Sequence, residues 1–553
     1  MKQTVELAAH YYLDNFLRLC RTVDARYGDL LTGDERAVLE CFHKLSFGSQ
    51  CLYIRLISRT GPWFRESKLQ YREIDSLDTC IDELLANNMA MLAEELDTEE
   101  LNSLFTRAEL QSAFAAQLPK DKYGSKAALI AAIDTLDLTS AALQKNLGSS
   151  EPGRILTPLH FEFIELLQLL FFGNRHQSLT EFVLEDIGIT RYFPYSLNRE
   201  ERLFKNRAAV DEYQLCAAFA DEHYDALALE DWDALPRLGR RLAKLNVQHG
   251  SSLRRYHSLC NRLARDLERM EEFGVALSLY RHSERHPARE RQARILEKRG
   301  DWKKAKRLCS QIIEAPWCEA EQEAARRILP RVERKLGGSA TTRQRDQFKT
   351  CALSIPRGDR SVERLAAQSL SQDWHTVHYV ENRLMNTLFG LAFWEEIFMP
   401  LPGVFHHPYQ GGPADMFEQG FRERRAAAIE ARVNVLLNGS LSVLLPQAYR
   451  RYQSNFCHWT DWRHIDEQLV RDSCQLIPNA HLVAIFERLL FDPRENRSGF
   501  PDLIALGKQP GDYRLIEVKG PGDALQDGQK RWLRYFDRQG IPAEVLWVNW
   551  TDD

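Results

Sequence analysis

The stretch Phe500-Pro501-Asp502-Leu503-Ile504-Ala505-Leu506, with its continuation Tyr513-Arg514-Leu515-Ile516-Glu517-Val518-Lys519-Gly520, decides the fold of the region around it. Both runs are apolar enough to form strands, and the residues between them, 507–512, are rich in glycine and other turn formers. The two runs therefore predict an antiparallel hairpin. If the loop closes symmetrically, position 506 lies opposite 513, 504 opposite 515, and Asp502 opposite Glu517.

This register places two carboxylates and an ammonium group close together. Opposed residues in an antiparallel pair have Cβ atoms about 5 Å apart, so Asp502 and Glu517 repel each other unless a cation lies between them. Side chains alternate along a strand, so Glu517 and Lys519 share a face whereas Val518 points into the core. Carboxylate and carbonyl oxygens suit Mg²⁺ or Mn²⁺, and Lys519 is placed to orient a metal-activated water or to stabilise developing charge. The pattern is typical of phosphodiester hydrolysis.

The sequence after this hairpin predicts a helix and a third strand. In the turn Gly520-Pro521-Gly522-Asp523, Asp523 is expected to cap a helix that continues through Gln529, Trp532, Leu533 and Phe536 and ends at Gly540. A strand over 543–548 follows. A Glu-x-Lys tripeptide by itself occurs by chance roughly once or twice in a chain of this length, and would then be an exposed ion pair. The Pro-Asp pair, the hairpin and the helix favour a site instead.

Several motifs resemble a known nuclease family. Pro501-Asp502-Leu503, Glu517-Val518-Lys519-Gly520-Pro521-Gly522-Asp523 and Gln529-x-x-Trp532-Leu533 resemble a VRR-NUC domain of the PD-(D/E)XK nuclease superfamily. Further segments resemble the Fanconi-associated nuclease in a bacterial form, and the resemblance covers nearly the whole chain. These segments are Leu52-Tyr53-Ile54-Arg55-Leu56, Arg59-Thr60-Gly61-Pro62-Trp63-Phe64-Arg65, Phe171-Phe172-Gly173-Asn174, Leu179-Thr180-Glu181-Phe182-Val183-Leu184 and Pro402-Gly403-Val404-Phe405.

The resemblance implies a structure-specific DNA nuclease that cuts 5′ flaps and branched DNA, acts as a 5′-to-3′ exonuclease and serves in interstrand crosslink repair. It also implies a Mg²⁺ or Mn²⁺ cofactor. The implied catalytic residues are Glu381, Gln410, Asp502, Glu517 and Lys519, and the implied metal ligands are Glu381, Asp502, Glu517 and the main-chain carbonyl of Val518. Without the resemblance, Glu381 reads as an ordinary exposed residue of an amphipathic helix that contains Leu384, Leu388 and Leu391.

The length of 553 residues is sufficient for three or four domains. We expect mostly α-helical N-terminal and middle regions, SAP-like and tetratricopeptide-like, followed by an α/β PD-(D/E)XK nuclease domain. A weak repeat supports the tetratricopeptide-like array, since Phe273, Ala276 and Leu279 line up with Trp302, Ala305 and Leu308. The expected domains are 1–80 (helical, DNA-binding), 81–140 (SAP-like), 141–204 (helical connector), 205–372 (tetratricopeptide-like) and 373–553 (VRR-NUC).

The net charge of −5 does not indicate a nucleic-acid-binding protein, so a DNA enzyme of this composition must collect its basic residues on one face. For each candidate, an ordinary solvated surface residue is the alternative. The candidate DNA-binding residues are Arg55, Arg59, Arg65, Lys122, Lys126, Arg255, Arg262, Arg424 and Arg425.

Eleven scattered cysteines without a Cys-x-x-Cys pair favour reduced thiols in an intracellular protein, cytoplasmic and nucleoid-associated if bacterial. No zinc site is evident, because Cys457-His458 and His406-His407 lack ligand spacing. The apolar stretch 161–173 contains two glutamates and is too short to span a bilayer. We expect no membrane association, a monomer, and branched or 5′-flap DNA as the partner; no protein partner can be inferred.

Two other functions remain open. A VRR-NUC domain also fits a four-way junction resolvase, although the long N-terminal region would obstruct the symmetric dimer that a resolvase needs. Tetratricopeptide-like helices also fit a non-catalytic DNA-repair scaffold, although the complete carboxylate and lysine set argues against this as the only role.

Overall fold

The computed structural model describes residues 10–59, 61, 63–93, 98–118, 124–148, 153–175, 177, 190–338, 346–418 and 420–551. Lys122 and the motif residues 179–184 lie outside these ranges. Contacts divide the chain into an N-terminal unit, 1–189, and a C-terminal unit, 190–553. The predicted boundaries at 80, 140 and 204–205 and at 372–373 therefore fall within these units.

The N-terminal unit consists of helices around one small sheet. Strands β1 (Phe64–Arg65), β3 (Ile155–Pro158) and β2 (Ala90–Leu92) form an antiparallel sheet in that spatial order. This sheet draws one strand from each of the first three predicted domains, so it ties them into one body. The helices are Tyr11–Tyr27, Gly33–Lys44, Phe47–Ile57, Leu77–Ala86, Thr98–Leu104, Arg107–Ala113, Lys126–Asp134, Ser140–Leu147 and Phe161–Phe172.

The C-terminal unit begins with strand β4 (Arg191–Tyr192) and continues into an array of helices. The array helices are Arg207–Ala228, Ala234–Leu242, Gly250–Arg269, Phe273–Arg281, Ala288–Lys298, Trp302–Glu314 and Glu319–Lys335. The repeat seen in the sequence is present, because two helices begin at Phe273 and Trp302, and Ala276 and Ala305 are both fully buried. Small side chains at these equivalent positions let neighbouring helices pack closely.

Two catalytic candidates, Glu517 and Lys519, lie on a five-stranded sheet with spatial order β5 (Thr350–Pro356), β10 (Ala543–Thr551), β9 (Tyr513–Lys519), β8 (Leu503–Leu506) and β6 (Thr376–Tyr379). Strand β10 lies between β5 and β9 and is parallel to both, whereas β8 is antiparallel to both of its neighbours. The predicted boundary at 372–373 falls between β5 and β6, inside this sheet. Sequence reasoning missed β5 because its pairing partner lies nearly two hundred residues further along the chain.

The predicted hairpin register is confirmed, since Leu506 pairs with Tyr513 and Ile504 with Leu515. Both faces of the hairpin are buried. One face joins a large helical core, and the other, which carries Val518, is covered by residues that include Ala366. The remaining helices are Val362–Leu370, Leu384–Ala392, Trp394–Ile397, Ala426–Asn438, Leu441–Tyr452, Glu467–Leu476, Asn479–Phe491 and Asp527–Gln539, and β7 (Asn455–Phe456) pairs with β4.

Two local predictions were wrong. The helix after the hairpin begins at Asp527, and Gln526 caps it in a reciprocal arrangement with Gln529, whereas the Asp523 carboxylate accepts a hydrogen bond from the Gly520 N–H and closes the preceding turn. Glu381 lies in the turn before the helix Leu384–Ala392 rather than on it. The predicted end of the helix Asp527–Gln539 at Gly540 is correct. Gly540 has a left-handed backbone conformation, which explains why glycine occupies this position.

Within the described ranges, the helices do not combine the length and the apolar character that a bilayer crossing requires.

A buried ion pair stabilises the helical array and can be tested. Glu321 is fully buried and pairs with Arg289, whose guanidinium lies 3.9 Å from the centre of the Trp317 ring. Glu321→Ala leaves the arginine without its counter-charge, so we expect the free energy of unfolding to fall by about 3 kcal/mol in urea denaturation followed by circular dichroism. Lys298→Ala, which removes an exposed pair with Glu271, should have a much smaller effect. Equal effects would contradict the assignment.

Candidate active site

Asp502 lies directly before β8 and organises the residues around it through both its side chain and its backbone. Its Oδ2 accepts a hydrogen bond of 2.9 Å from the N–H of Val518 on the neighbouring strand. Its main-chain carbonyl accepts hydrogen bonds from the N–H groups of Val380 and Glu381 at 2.8 and 3.0 Å. The backbone of Asp502 therefore fixes the turn that carries Glu381, so a residue more than a hundred positions away joins the hairpin.

Glu517 is a buried carboxylate with one oxygen engaged and the other free. Its Oε1 accepts hydrogen bonds from the Lys519 Nζ at 2.8 Å and the Gln529 Nε2 at 2.5 Å. Its Oε2 is buried and has no hydrogen-bond partner among the described residues. A buried carboxylate oxygen without a donor is costly, so this atom is suited to a ligand that supplies positive charge.

Burial raises the pKa of Asp502 to about 6. Burial, together with the nearby charge of Asp502, raises the pKa of Glu517 to about 8, although Lys519 opposes the shift. Both carboxyls therefore resist ionisation in the protein alone, and a bound cation would favour their ionised forms. Shifted carboxyl groups clustered in one place are typical of functional sites.

Glu381 lies near Asp502 and Glu517, but its carboxylate is hydrogen-bonded to Tyr379. Its Oε2 accepts a hydrogen bond of 2.6 Å from the Tyr379 hydroxyl, and burial together with this bond raises the pKa of that hydroxyl. Glu381 also contributes to the raised pKa values of Asp502 and Glu517, which places its charge near both.

The donor set fits a hard divalent cation in its chemistry: carboxylate oxygens from three segments, a free buried Oε2 on Glu517, and a hairpin carbonyl at Val518. In the ranges given above, however, no three carboxylate, histidine or cysteine side chains are grouped closely enough to hold a metal ion as they stand. Of the Glu381 carboxylate, Oε2 accepts the Tyr379 hydrogen bond, which leaves Oε1 as the oxygen available to join the other two carboxylates.

Gln410 is held within its own loop. Its side-chain oxygen accepts hydrogen bonds from the N–H groups of His406 and His407 at 2.6 and 3.4 Å, and its Nε2 donates to the carbonyls of Val404 and Gly412 at 3.1 and 3.3 Å. Four bonds use the full capacity of the amide group. These contacts favour a role for Gln410 in shaping the loop.

The candidate DNA-binding residues of the N-terminal unit differ in availability. Arg65 is almost fully buried, pairs with Glu109 at 3.0 Å and lies over the Phe105 ring, which favours a structural role. Arg55 pairs with Glu73 at 2.7 Å, and the Lys126 ammonium donates to the Asn102 carbonyl. Arg59 is exposed and donates to the Tyr71 hydroxyl at 3.1 Å.

A similar division appears in the C-terminal unit. Arg425 is nearly fully buried, with both terminal nitrogens on Asp415 at 2.9 and 3.0 Å, so it too is engaged in packing. Arg424 shares Asp415 at 2.8 Å but is partly exposed. Arg255 donates to the Tyr213 hydroxyl at 3.0 Å. Arg262 is exposed and has its side chain at the surface of the array.

The structure adds two residues to the site that sequence reasoning did not select, Gln529 and Tyr379. The sequence placed Gln529 on the helix after the hairpin, but its contact with Glu517 depends on a close approach of two backbones. A Cβ on Gly499, which has a φ of +86°, would lie 2.8 Å from the carbonyl carbon of Gly528 and 3.1 Å from the nitrogen of Gln529. Glycine at position 499 therefore allows the helix to bring Gln529 to the carboxylate.

Trp532 supports the same helix. Its ring stacks on Phe500 with centres 4.1 Å apart, and its Nε1–H donates to the carbonyls of Asn496 and Ser498. The guanidinium of Arg488 lies 4.6 Å from the centre of the Trp532 ring and pairs at 2.5 Å with Glu319 of the helical array. These contacts connect the helical array, through Arg488 and Trp532, to Phe500, which lies two residues before Asp502.

Comparisons with known proteins agree along the chain. The model of the VRR-NUC domain matches residues 438–550, that of the FAN1 HTH domain residues 10–91, and that of the Fanconi anemia-associated nuclease SAP domain residues 95–145. A Fanconi-associated nuclease 1 homolog of Pseudomonas aeruginosa is 35% identical, with 98% of this chain and 96% of that protein covered. Fanconi-associated nuclease 1 of Homo sapiens is 24% identical, with 97% of this chain and 62% of that protein covered.

Solved structures give the same result. The crystal structure of paFAN1 bound to 2nt 5′-flap DNA with a gap superimposes with a TM-score of 0.86 at 33% identity, covering 99% of this chain and all of that one. A second crystal structure of paFAN1, bound to 1nt 5′-flap DNA with a gap, gives a TM-score of 0.82 at the same identity.

The raised carboxyl pKa values predict a pH-dependent stability without metal. Because the pKa values of Asp502 and Glu517 are above their ordinary values, these two groups bind more protons in the folded chain than in the unfolded chain between about pH 4 and 8. Their contribution to stability in EDTA should therefore fall as the pH rises through this range. Glu517→Gln removes one of the two groups, so we expect the variant's Tm to exceed the wild-type Tm at about pH 8.5.

Differential scanning calorimetry in EDTA measures this difference, which should shrink towards pH 5. Glu487→Gln, at a partly exposed glutamate elsewhere in the same unit, is the matched control. A difference between Glu517→Gln and wild type that does not change with pH would show that the carboxyl is not held protonated.

Proposed function

Because the chain belongs to the Fanconi-associated nuclease family, and is a structure-specific DNA nuclease that depends on divalent metal, we propose that it cuts 5′ flaps at the site formed by Asp502, Glu517 and Lys519. The observation that carries the assignment of the site is the buried Glu517, with its free Oε2 and the Lys519 ammonium beside it. The 5′-flap substrate is supported by the paFAN1 complexes, whose fold this chain shares over 99% of its length.

The metal in this proposal is Mg²⁺ or Mn²⁺, held by Asp502, Glu517, Glu381 and the carbonyl of Val518. When bound, such a cation lowers the pKa of a coordinated water and stabilises charge on the phosphate. For Glu381 to take part, its side chain must turn an oxygen towards this cluster, and Oε1 is the oxygen that the Tyr379 hydroxyl does not use. The hydrogen bond from Tyr379 and the backbone bonds to the Asp502 carbonyl keep Glu381 close to the other two carboxylates before a metal binds.

The protein's own groups then have distinct tasks. Gln529 remains on the Oε1 of Glu517 and keeps the carboxylate in one orientation. Lys519, whose present partner is the same oxygen, is near enough to orient the attacking water or to stabilise negative charge on the phosphate. In the hydrolysis, the water oxygen bonds to phosphorus, one P–O ester bond breaks, and the departing oxygen takes up a proton.

The proposal extends to 5′-to-3′ exonuclease action, to interstrand crosslink repair inside the cell, and to a monomeric enzyme. Arg59, Arg262 and Arg424 are the candidates for phosphate contacts that are exposed. We also propose that the nuclease region begins before Thr350, because β5 completes its sheet.

Cleavage of end-labelled 5′-flap, 3′-flap, four-way and single-stranded DNA with Mg²⁺ or Mn²⁺ tests the proposal. We expect preferential cutting of the 5′ flap, and a decrease of about a thousandfold or more in Asp502→Ala, because one carboxylate of the metal site is lost. Binding of the flap in EDTA, measured by fluorescence anisotropy, should remain, and Glu487→Ala should cleave normally.

Each other result points elsewhere. Cutting confined to four-way DNA would favour a junction resolvase. Tight binding without any cutting by the wild type would favour a scaffold. Undiminished cleavage by Asp502→Ala would remove this site from consideration.

A further inference from the structure

A continuous line of ring contacts runs through the C-terminal unit. The ring centres of Tyr192 and Phe456 are 6.0 Å apart, and those of Phe456 and His458 are 5.2 Å apart. The line continues to Phe417, whose ring centre is 5.9 Å from that of His458. It ends at Arg497, whose guanidinium lies 4.8 Å from the centre of the Phe417 ring. We refer to these five residues as the aromatic surface, because each member lies beside the next.

The aromatic surface is open to solvent. Phe456 is 40% exposed, and His458 and Arg497 are exposed as well, whereas Tyr192 and Phe417 are half-buried. Single exposed aromatic residues are common on protein surfaces, but a connected set of exposed rings is typical of surfaces that bind other molecules.

The backbone holds these rings in place. Tyr192 and Phe456 are directly paired in β4 and β7, so their side chains lie on the same face of that small sheet. A Cβ on Gly411 would clash with the Phe456 ring, so glycine at this position lets the ring lie against the backbone. The N–H of His458 donates to the carbonyl of the same glycine at 3.1 Å. A preformed support of this kind reduces the entropy lost when a ligand binds.

One end of the aromatic surface lies close to the candidate active site. Arg497 precedes Asp502 by five residues, so their Cα atoms are at most about 18 Å apart. The carbonyl of Arg497 accepts a hydrogen bond of 2.8 Å from Asn386, which follows Glu381 by five residues. Since stacked nucleotides advance about 3.4 Å each along a strand, the distance from Arg497 to Asp502 corresponds to about five nucleotides or fewer.

The charge beside the aromatic surface favours a polyanion. In the described part of the chain, the Arg497 guanidinium forms no ion pair, and Glu495 of the same segment lies 3.9 Å from Arg531. The carboxylates nearest to Phe417 in sequence, Asp415 and Glu418, are each shared by more than one arginine, so positive charge exceeds negative charge there. Asp415 pairs with Arg424 and Arg425, and Glu418 pairs with Arg254, Arg285 and Arg494.

We propose that the aromatic surface binds unpaired bases of the DNA substrate next to the cut. Bases can stack on the rings of Phe456 and His458, while phosphates of the same strand meet Arg497. DNA supplies both the flat rings and the negative charge that this surface matches. The inference rests on the proposed function for the presence of DNA, and it adds single-stranded nucleotides as the part of the substrate that is recognised here. The bases of a duplex are stacked on one another, so they cannot bind in this way.

Fluorescence anisotropy with the full chain in EDTA tests the inference with three labelled probes: a short oligothymidine, an abasic strand of the same length and a blunt duplex. Phe456→Leu removes the ring and keeps an apolar side chain. We expect it to bind oligothymidine about tenfold more weakly than the wild type, because one stacking interaction is lost. Its binding of the abasic strand and of the duplex should be unchanged, which also shows that the variant is folded.

Two further variants and one control sharpen this test. His458→Leu, at another exposed member of the aromatic surface, should show the same pattern as Phe456→Leu. Phe456→Tyr keeps the ring and should bind oligothymidine as the wild type does. Trp232→Leu, at an aromatic residue of the helical array that is 49% exposed, should bind all three probes normally.

Three results would overturn the inference. The wild type, Phe456→Leu and His458→Leu bind oligothymidine equally; the wild type binds the abasic strand as tightly as oligothymidine, which would indicate phosphate charge alone; or the two leucine variants lose duplex and oligothymidine binding in the same proportion. Because EDTA prevents metal-dependent cleavage, these outcomes appear in binding alone. Failure of the proposed function would instead appear as a lack of cutting by the wild type with metal.

Discussion

The burial of two like-charged carboxyl groups, Asp502 and Glu517, is the constraint on which the rest of the C-terminal unit depends. Placing them opposite each other in a sheet that is covered on both faces destabilises the folded protein, because the single ammonium of Lys519 is one positive charge beside two carboxylates. Rigid neighbours must hold them against their repulsion. The N–H of Val518, the amide of Gln529 and the ammonium of Lys519 do so. The same repulsion favours the binding of a divalent cation. The pair of carboxylates that destabilises the fold is therefore also the pair that can hold the metal.

The helical array is part of this support rather than an appended module. Glu319, on the last helix of the array, forms an ion pair with the buried Arg488, whose guanidinium lies over the Trp532 ring. At a second junction, Glu418 of the nuclease region receives Arg285 and, at 2.9 Å, Arg254 of the array. Charged pairs with little exposure contribute orientation more dependably than stability, since their interaction is offset by lost hydration. The array and the sheet are therefore fixed relative to each other by these ion pairs.

Local patterns predicted the parts of the site that are local. The register of the hairpin, the core position of Val518 and the helix end at Gly540 follow from alternation and turn chemistry. Glu381 was selected only through the family resemblance, and it was wrongly predicted to lie on a helix. Its position is set by hydrogen bonds to the carbonyl of Asp502, which is distant in sequence. Strand β5 and the burial of Arg65 and Arg425 could not be predicted either, because they too depend on contacts with residues that are distant in sequence or not marked by a local pattern. An arginine in a sequence does not reveal whether its counter-ion is a phosphate or an aspartate.

The position of β10 between β5 and β9 has a consequence for how the sheet is completed. Because β10 follows β5, β8 and β9 in the chain, the strand with Glu517 and Lys519 has one unpaired edge, and β5 has no partner in its sheet, until β10 pairs with both. The sheet closes only when β10 enters between them. The candidate residues Asp502, Glu517 and Lys519 thus all precede the strand that completes their sheet, and their alignment depends on the pairing of that later strand.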